Sequence, residues 1–226
     1  MTKRTQTGFT LVEIAIVLVI IGLLLGGILK GQEMITQAKI KNVMADFSGI
    51  SAAYHGYQDR YRAIPGDDPN AAGRWGAPAV SGDGNGVVGG TYNNACPATP
   101  AAADPESCKF WDHLRRAGFV AGSGGQQPFN ALTGMLGVQT GSGATPPTAA
   151  LLDNGGPGFV GLIICSANLP DKVAIAVDAQ MDDGVAGKGT VRALAQVSPN
   201  PNIGNVDATA AYAETGSNVY TICRAL

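Results

Sequence analysis

The chain has 226 residues, of which 45% are hydrophobic, 14% are charged and 32 are glycine. The formal net charge is −2, and removal of Lys3 and Arg4 would leave 13 basic and 17 acidic residues. This balance excludes the strongly basic surface that general nucleic-acid binding requires, so no nucleic-acid partner is expected. The length suits a long helix and one domain of ordinary size.

An apolar segment lies near the N-terminus. From Phe9 to Leu29 there are 21 residues and a single charge, Glu13. At about 1.5 Å per residue, a helix of this length crosses the ~30 Å hydrocarbon core of a membrane. A carboxylate there costs roughly 2.5–3.5 kcal/mol and usually marks a function. A single-pass anchor would not need Glu13, and the apolar run exceeds the roughly 7–15 residues of a secretory signal.

The sequence GFTLVE, from Gly8 to Glu13, resembles the processing site of type IV pilins and type II secretion pseudopilins. The resemblance implies that prepilin peptidase cuts between Gly8 and Phe9 and methylates the new amino terminus, so that 1–8 is a leader peptide. It also implies that Glu13 neutralises the Phe9 amine of a neighbouring subunit as a filament assembles. Opposite charges buried among apolar helices are tolerable only as a pair.

A second, amphipathic segment follows the apolar one. Its hydrophobic residues recur at three- and four-residue steps, which is typical of one helical face. We predict one helix from Phe9 to Tyr61, with 9–29 as the transmembrane and filament-core half and 30–62 as the amphipathic half. Pro65 ends it, because the residue before proline disfavours helix. The residues of this face are Ile40, Val43, Met44, Phe47, Ile50, Tyr54, Tyr57 and Tyr61.

Glycines are concentrated where the two halves of the predicted helix meet. They leave two alternatives open. The pilin resemblance implies a helix that loosens here in a filament, whereas small residues in a membrane helix also allow close packing between helices. These glycines are Gly22, Gly26, Gly27 and Gly31.

The remaining residues, 63–226, are predicted to form a globular head. The fold class is α+β: a long N-terminal helix packed on a head with a small antiparallel β-sheet. Residues 104–118 predict a short helix with Asp104 as cap, Pro105 in the first position and Gly118 as its stop. Its predicted core residues are Phe110, Trp111 and Leu114.

An uncharged segment from Ala117 to Leu152 is rich in Gly, Ser, Thr, Gln and Pro. We interpret about 117–158 as an exposed loop insertion. Beyond it, β-branched and apolar runs predict strands, whereas Leu169–Met181 fits either a helix or a strand. The predicted strands are Phe159–Cys165, Thr190–Val197 and Asn218–Arg224.

The order of the segments resembles a widespread group of long prepilin-like proteins. The matching segments are IPGDDPNA, GDGNG, KFWDHLRRAG, NLPDKVAIAVDAQMDDGVAGKGTVRA and the terminal YTIC. This resemblance covers most of the chain and implies a pilin architecture, but it implies little about the particular filament.

The four cysteines lie beyond the apolar segment and allow three connectivities. We favour Cys96–Cys108, which closes a short loop at the start of the predicted helix, and Cys165–Cys223, which joins two predicted strands. The basic leader is expected on the cytoplasmic side, and the head therefore outside, where disulfides persist. The cysteine spacings fit no zinc-ligand pattern.

Asp83 and Asn85 place oxygen atoms at alternate positions, as calcium loops do. Asp-Gly and Asn-Gly are also common turn formers, so a tight turn and a calcium site both remain open. The same alternatives apply to Asp182-Asp183-Gly184. No other cofactor is expected. Trp111 and His113 are predicted to be core and helix-surface residues, and without a catalytic constellation we predict no enzyme.

The pilin resemblance implies a structural subunit of a type IV pilus or related extracellular filament, assembled with copies of itself and other pilins. The precursor would span the bacterial inner membrane, meet the assembly machinery there, and end in a periplasmic or cell-surface filament. The alternative is a minor pilin or pseudopilin, in a short pseudopilus or at a tip. A membrane-anchored enzyme or DNA receptor is a third hypothesis, against which the acidic balance and the missing catalytic groups argue. Glu13 favours a shaft position, because the tip subunit of such fibres often lacks this carboxylate.

Overall fold

The computed structural model describes residues 10–142, 151–153, 158–204, 206–209 and 211–226. The fold is α+β, with a long N-terminal helix and an antiparallel sheet, as predicted. Contacts divide the chain into two units, one ending at Ala38 and the other running from Lys39 to Leu226. The elements in chain order are α1 (Leu11–Tyr61), α2 (Ala71–Trp75), α3 (Glu106–Arg116), β1 (Leu136–Ser142), β2 (Leu151–Asp153), β3 (Val160–Pro170), α4 (Asp171–Met181), β4 (Val191–Ala195), β5 (Val206–Asp207) and β6 (Val219–Ala225).

The first unit contains the apolar part of α1. An 18-residue window in it has a mean hydropathy of 2.8 and is not buried within the single chain. By length and composition this part of the helix is able to cross a membrane. Its side chains therefore need lipid or other helices to remove them from water.

The second unit begins with the amphipathic part of α1. Its buried side chains follow the predicted three- and four-residue spacing and belong to one continuous core with α3, the sheet and α4. Because Val43, Phe47 and Tyr57 are fully buried, this half of the helix belongs to the head. The buried residues of α1 are Ile40, Val43, Phe47, Ile50, Ala53, Tyr54 and Tyr57.

The four-stranded sheet has the order β1-β3-β6-β4, and all its neighbours are antiparallel. In β3, Leu162 and Ile164 belong to the core that contains α1, whereas Ile163 and Cys165 belong to a second core with Tyr92. A strand covered on both faces has a continuous rather than alternating apolar sequence. The three predicted strands are confirmed as β3, β4 and β6, with shifted ends. Strands β2 and β5 form a separate parallel pair.

The prediction that about 117–158 is an exposed loop insertion is wrong for part of this range. Leu136–Ser142 forms β1, which pairs with β3 along its whole length. Val138 is fully buried, and Leu136 is 3% exposed. The strand within this uncharged segment is therefore part of the core, and its pairing uses backbone atoms and does not depend on charged side chains. Residues 143–150 and 154–157 lie outside the described residues.

The ends of α3 and α4 also differ from expectation. Pro105, not Asp104, is the N-cap of α3, and Asp104 instead accepts the Ala101 amide at 2.7 Å in the preceding turn. The core residues Phe110, Trp111 and Leu114 are fully buried, as predicted. Asp171–Met181, where the sequence was ambiguous, is a helix whose Val173, Ala174 and Val177 are buried in the core.

Candidate functional site

Thr10 and Glu13 form the first turn of α1. The Thr10 amide and hydroxyl both donate to Glu13 Oε2 at 2.8 Å, and the Glu13 amide donates to Thr10 Oγ1 at 3.3 Å. This is a capping box, in which two side chains satisfy amides that the helix leaves without partners. The Thr-x-x-Glu spacing was visible in the sequence, but sequence reasoning assigned no role to Thr10.

The capping box places the Glu13 carboxylate at the positive end of the helix dipole. Gly8 and Phe9, the predicted cleavage and methylation residues, lie outside the described residues. Cleavage between them and the pairing of Glu13 with a neighbouring amine therefore stay predictions. In the single chain, Glu13 has a local role that requires no second subunit.

The helix surface beyond Glu13 is apolar on all sides. Its large hydrophobic side chains from Leu11 to Leu29 are 46–87% exposed in the single chain. The helix continues through the glycines at its middle, and a Cβ atom at any of the four would have no neighbour within 4 Å. Both interpretations of Gly22, Gly26, Gly27 and Gly31 therefore remain open.

Asp83 and Asn85 lie in a turn whose oxygens are occupied by hydrogen bonds. Asp83 accepts the Asn85 backbone amide at 3.0 Å and its side-chain amide at 2.8 Å. Asn85 Oδ1 accepts the Val87 amide at 2.7 Å. Asp67, which sequence reasoning did not select, accepts the amides of Gly84, Asn85 and Gly86 at 2.7–3.0 Å. Of the two alternatives, these contacts favour a turn, built around Asp67, and calcium at Asp83 and Asn85 stays the untested and less favoured one.

Glu106 completes this loop. It accepts the amides of Asp83 and Gly89, each at 3.0 Å. The carboxylates of Asp67, Asp83 and Glu106 lie within 4.8 Å of one another, and each of their six oxygens accepts a hydrogen bond. The three side chains therefore fasten the glycine-rich loop to the start of α3.

The neighbouring Asp68 joins the end of α1 to α2. It accepts the Tyr57 hydroxyl and the Arg74 guanidinium, each at 2.6 Å, and the Asn70 amide at 2.8 Å. Burial raises the pKa of Asp68, but these hydrogen bonds outweigh it and hold the pKa below its usual value. The paired aspartates of IPGDDPNA thus have structural roles, Asp67 for the loop and Asp68 for the helices.

His113 is fully buried, so its prediction as a helix-surface residue is wrong. The Gly66 amide donates to His113 Nδ1 at 2.9 Å, and His113 Nε2 lies 2.7 Å from the Val80 carbonyl oxygen. Because a carbonyl only accepts, Nε2 carries the proton and the ring is neutral. Both nitrogens are used to hold the loop on α3, which leaves none for catalysis. The sequence carried no local signal for this burial, because the residues that cover His113 belong to the loop of Gly66 and Val80.

The cysteines pair as Cys96–Cys108 and Cys165–Cys223, the connectivity that the sequence favoured. The first pair fastens the loop before α3 to that helix. The second joins residues directly opposite each other in β3 and β6. Both disulfides therefore fix the head and lie outside the apolar part of α1.

Comparisons with known proteins add one finding. The sequence profile of the prokaryotic N-terminal methylation motif matches residues 3–29. No curated protein and no solved structure gave a significant match. The matched residues contain the Thr10–Glu13 capping box and the exposed apolar part of α1. The chain therefore carries the prepilin-type N-terminal methylation motif of type IV pilins and pseudopilins.

Proposed function

We propose that this protein is a structural subunit of a type IV pilus or a related extracellular filament. The observation that carries the proposal is the methylation motif at residues 3–29, continuous with an apolar helix that the head does not bury. Prepilin peptidase would remove residues 1–8, and the apolar helices of neighbouring subunits would then pack together.

The arrangement of Glu13 supports a role in assembly. After cleavage Phe9 would bear a positive amine at the helix N-terminus, next to the Thr10–Glu13 capping box. Burial of that charge among apolar helices requires a partner. Since Glu13 is the only charged residue between Phe9 and Leu29, the carboxylate of a neighbouring subunit is the partner we propose.

Glu13→Gln and Glu13→Ala separate the two roles of the carboxylate. Glutamine at this position preserves a capping box but carries no charge, whereas alanine removes both. If charge pairing drives assembly, both variants should reach the membrane and be processed, but yield at least about tenfold less sheared filament than wild type. An unpaired buried charge costs several kcal/mol, and 1.4 kcal/mol is already a factor of ten.

The measurement is the amount of this chain in sheared filaments relative to membranes, by quantitative immunoblot. Thr10→Ser serves as control, because serine keeps the hydroxyl of the capping box. Normal filament yield from Glu13→Gln with loss in Glu13→Ala would show that helix capping is the only role of Glu13. An uncleaved N-terminus in the wild-type cell would refute the proposal that the chain is a processed prepilin.

A further inference from the structure

A second group of carboxylates lies at the C-terminal end of α4. Asp178, Asp182 and Asp183 each offer an oxygen within 4.8 Å of those of the other two. The end of a helix has a partial negative charge, which adds to the repulsion between the carboxylates. The last turn of α4 has no basic residue, and among the described residues no salt bridge reaches any of the three.

Asp178 is the buried member of the group and is 0% exposed. Its Oδ2 accepts the Tyr212 hydroxyl at 2.7 Å. Its Oδ1 is buried and accepts no hydrogen bond from the described residues. The nearby Gly184 amide lowers the pKa of this carboxylate, but it makes no hydrogen bond to Oδ1 that meets the distance and angle limits. A buried carboxylate oxygen without a partner is unfavourable, so something else must satisfy it.

The other two carboxylates are held in place by backbone amides. Asp182 Oδ2 accepts the Thr190 amide at 2.5 Å and the Val191 amide at 2.9 Å. Asp183 Oδ1 accepts the Val185 amide at 2.8 Å. Each of these two carboxylates keeps one oxygen, Asp182 Oδ1 or Asp183 Oδ2, that accepts no hydrogen bond from the described part of the chain. The group thus presents three carboxylates, each with one oxygen that lacks a partner among the residues that the structure describes.

We propose that Asp178, Asp182 and Asp183 bind one calcium ion. A site made only of oxygen ligands favours a hard cation. Calcium accepts six to eight oxygens in flexible geometry, so that water can complete its coordination, whereas magnesium requires a smaller, near-octahedral arrangement. The ion would join the end of α4 to β4 through Asp182, and to the segment of Tyr212 through Asp178.

The first acidic group provides a matched control within the same chain. Asp67, Asp83 and Glu106 likewise each offer an oxygen within 4.8 Å of those of the other two, but all six of their carboxylate oxygens accept hydrogen bonds. Proximity of carboxylates alone therefore does not distinguish the two groups. The unpartnered oxygens distinguish them, above all the buried Oδ1 of Asp178.

The test is calorimetric titration of the full chain in detergent micelles with calcium chloride, after removal of metal with a chelator. We expect one calcium per chain, with a Kd of about 10⁻⁴–10⁻³ M as in other extracellular modules, and a higher Tm with calcium. Asp178→Asn and Asp183→Asn should each weaken binding at least tenfold. Both keep an acceptor, for the Tyr212 hydroxyl and the Val185 amide respectively, so folding is preserved.

The melting temperatures give a second readout. Without metal, Asp178→Asn should melt above wild type, because it removes a like charge from the group; with calcium the order should reverse. Asp83→Asn should bind calcium like wild type.

The proposal is overturned by absence of binding to wild type, which would leave a proton shared between the carboxylates as the neutralising group. Three other results also overturn the proposal: calcium binding that survives both Asp178→Asn and Asp183→Asn, calcium binding that is lost in Asp83→Asn, and magnesium binding as tight as calcium binding. None of these results depends on filament assembly.

Discussion

The imidazole of His113 is held between the Gly66 amide and the Val80 carbonyl in the interior of the head. Burial lowers the pKa of His113; the Val80 carbonyl and the charges of Asp68 and Asp112 oppose this effect, and Lys109 adds to it. Protonation of Nδ1 would also break the hydrogen bond from Gly66. Gly66 itself has a φ of 92°, and a Cβ there would lie 2.6 Å from the Glu106 carbonyl oxygen. The loop therefore requires glycine at this position and a neutral histidine below it.

This arrangement predicts a pH dependence of stability. The unfolded chain protonates its histidines near pH 6.5, whereas folded His113 does so only at lower pH. Because the unfolded state binds more protons in this interval, the free energy of unfolding should fall as the pH decreases from about 7 through 6.5 towards the folded pKa. Melting temperatures between pH 7.5 and 5 measure this slope, which His113→Gln should flatten.

His55 provides the control for that experiment. It is the other histidine of the chain and is exposed on α1, so His55→Gln makes the same replacement without disturbing the interior of the head. A His113→Gln protein whose stability falls with acid as steeply as wild type would contradict the prediction. A uniformly lower Tm in His113→Gln is expected in addition, because the Gly66 amide and the Val80 carbonyl would be poorly satisfied.

The helix α1 contains two segments with opposite solvent requirements. In the head, one face is buried at three- and four-residue spacing, and the other face is polar. From Leu11 to Leu29, apolar residues surround the helix apart from Glu13, and they are exposed in the single chain. The amphipathic segment thus has its partner within the same chain, while the apolar segment needs a partner outside it, first lipid and then, under the proposed function, other subunits.

The two disulfides close loops of different length, which predicts that they contribute differently to the free energy of unfolding. Cys165–Cys223 closes 58 residues and Cys96–Cys108 closes 12. In the chain-entropy account, loops of these lengths correspond to about 4 and about 3 kcal/mol. Replacement of Cys165 and Cys223 together by alanine should therefore destabilise the protein more than replacement of Cys96 and Cys108. Urea unfolding of both double variants measures the difference.

The buried position of the second disulfide should increase that difference. Cys165 and Cys223 are fully buried in the second core, so alanine at both positions also removes packed atoms. An equal or smaller loss of stability than in the Cys96 and Cys108 double variant would contradict the prediction. The midpoint should change without a large change in the m-value if unfolding remains two-state.

At the scale of the whole molecule, the proposed function predicts that this chain is the main component of a fibre. Mass spectrometry and electron microscopy of filaments sheared from the cell surface test this. We expect a dominant species that begins at methylated Phe9 and contains both disulfides, because the apolar helix is stable in water only when other helices cover it. Processed protein confined to the inner membrane, and absent from sheared filaments, would contradict the prediction and indicate a minor pilin or pseudopilin.

Sequence alone predicted the elements whose residues carry a local or periodic signal. The apolar run predicted a helix able to span a membrane, because length and hydropathy decide this property. The prepilin-type N-terminus was identified by the resemblance of GFTLVE to pilin processing sites. Periodicity in the amphipathic half of α1 predicted its buried face correctly. The strands β3, β4 and β6 were predicted because β-branched and apolar residues cluster in them.

Only the tertiary structure decided which polar residues are buried and what satisfies them. Strand β1 was not predicted, because it lies in an uncharged segment whose composition is typical of a loop. It is a strand because its backbone pairs with β3. His113 was misplaced, because the loop around Gly66 and Val80 that covers it comes from a distant part of the sequence. In the same way Asp67 and Asp178 acquire their surroundings from residues 17 to 34 positions away. Hydropathy and periodicity act along the chain, whereas the partners of buried polar atoms are fixed by contacts across it.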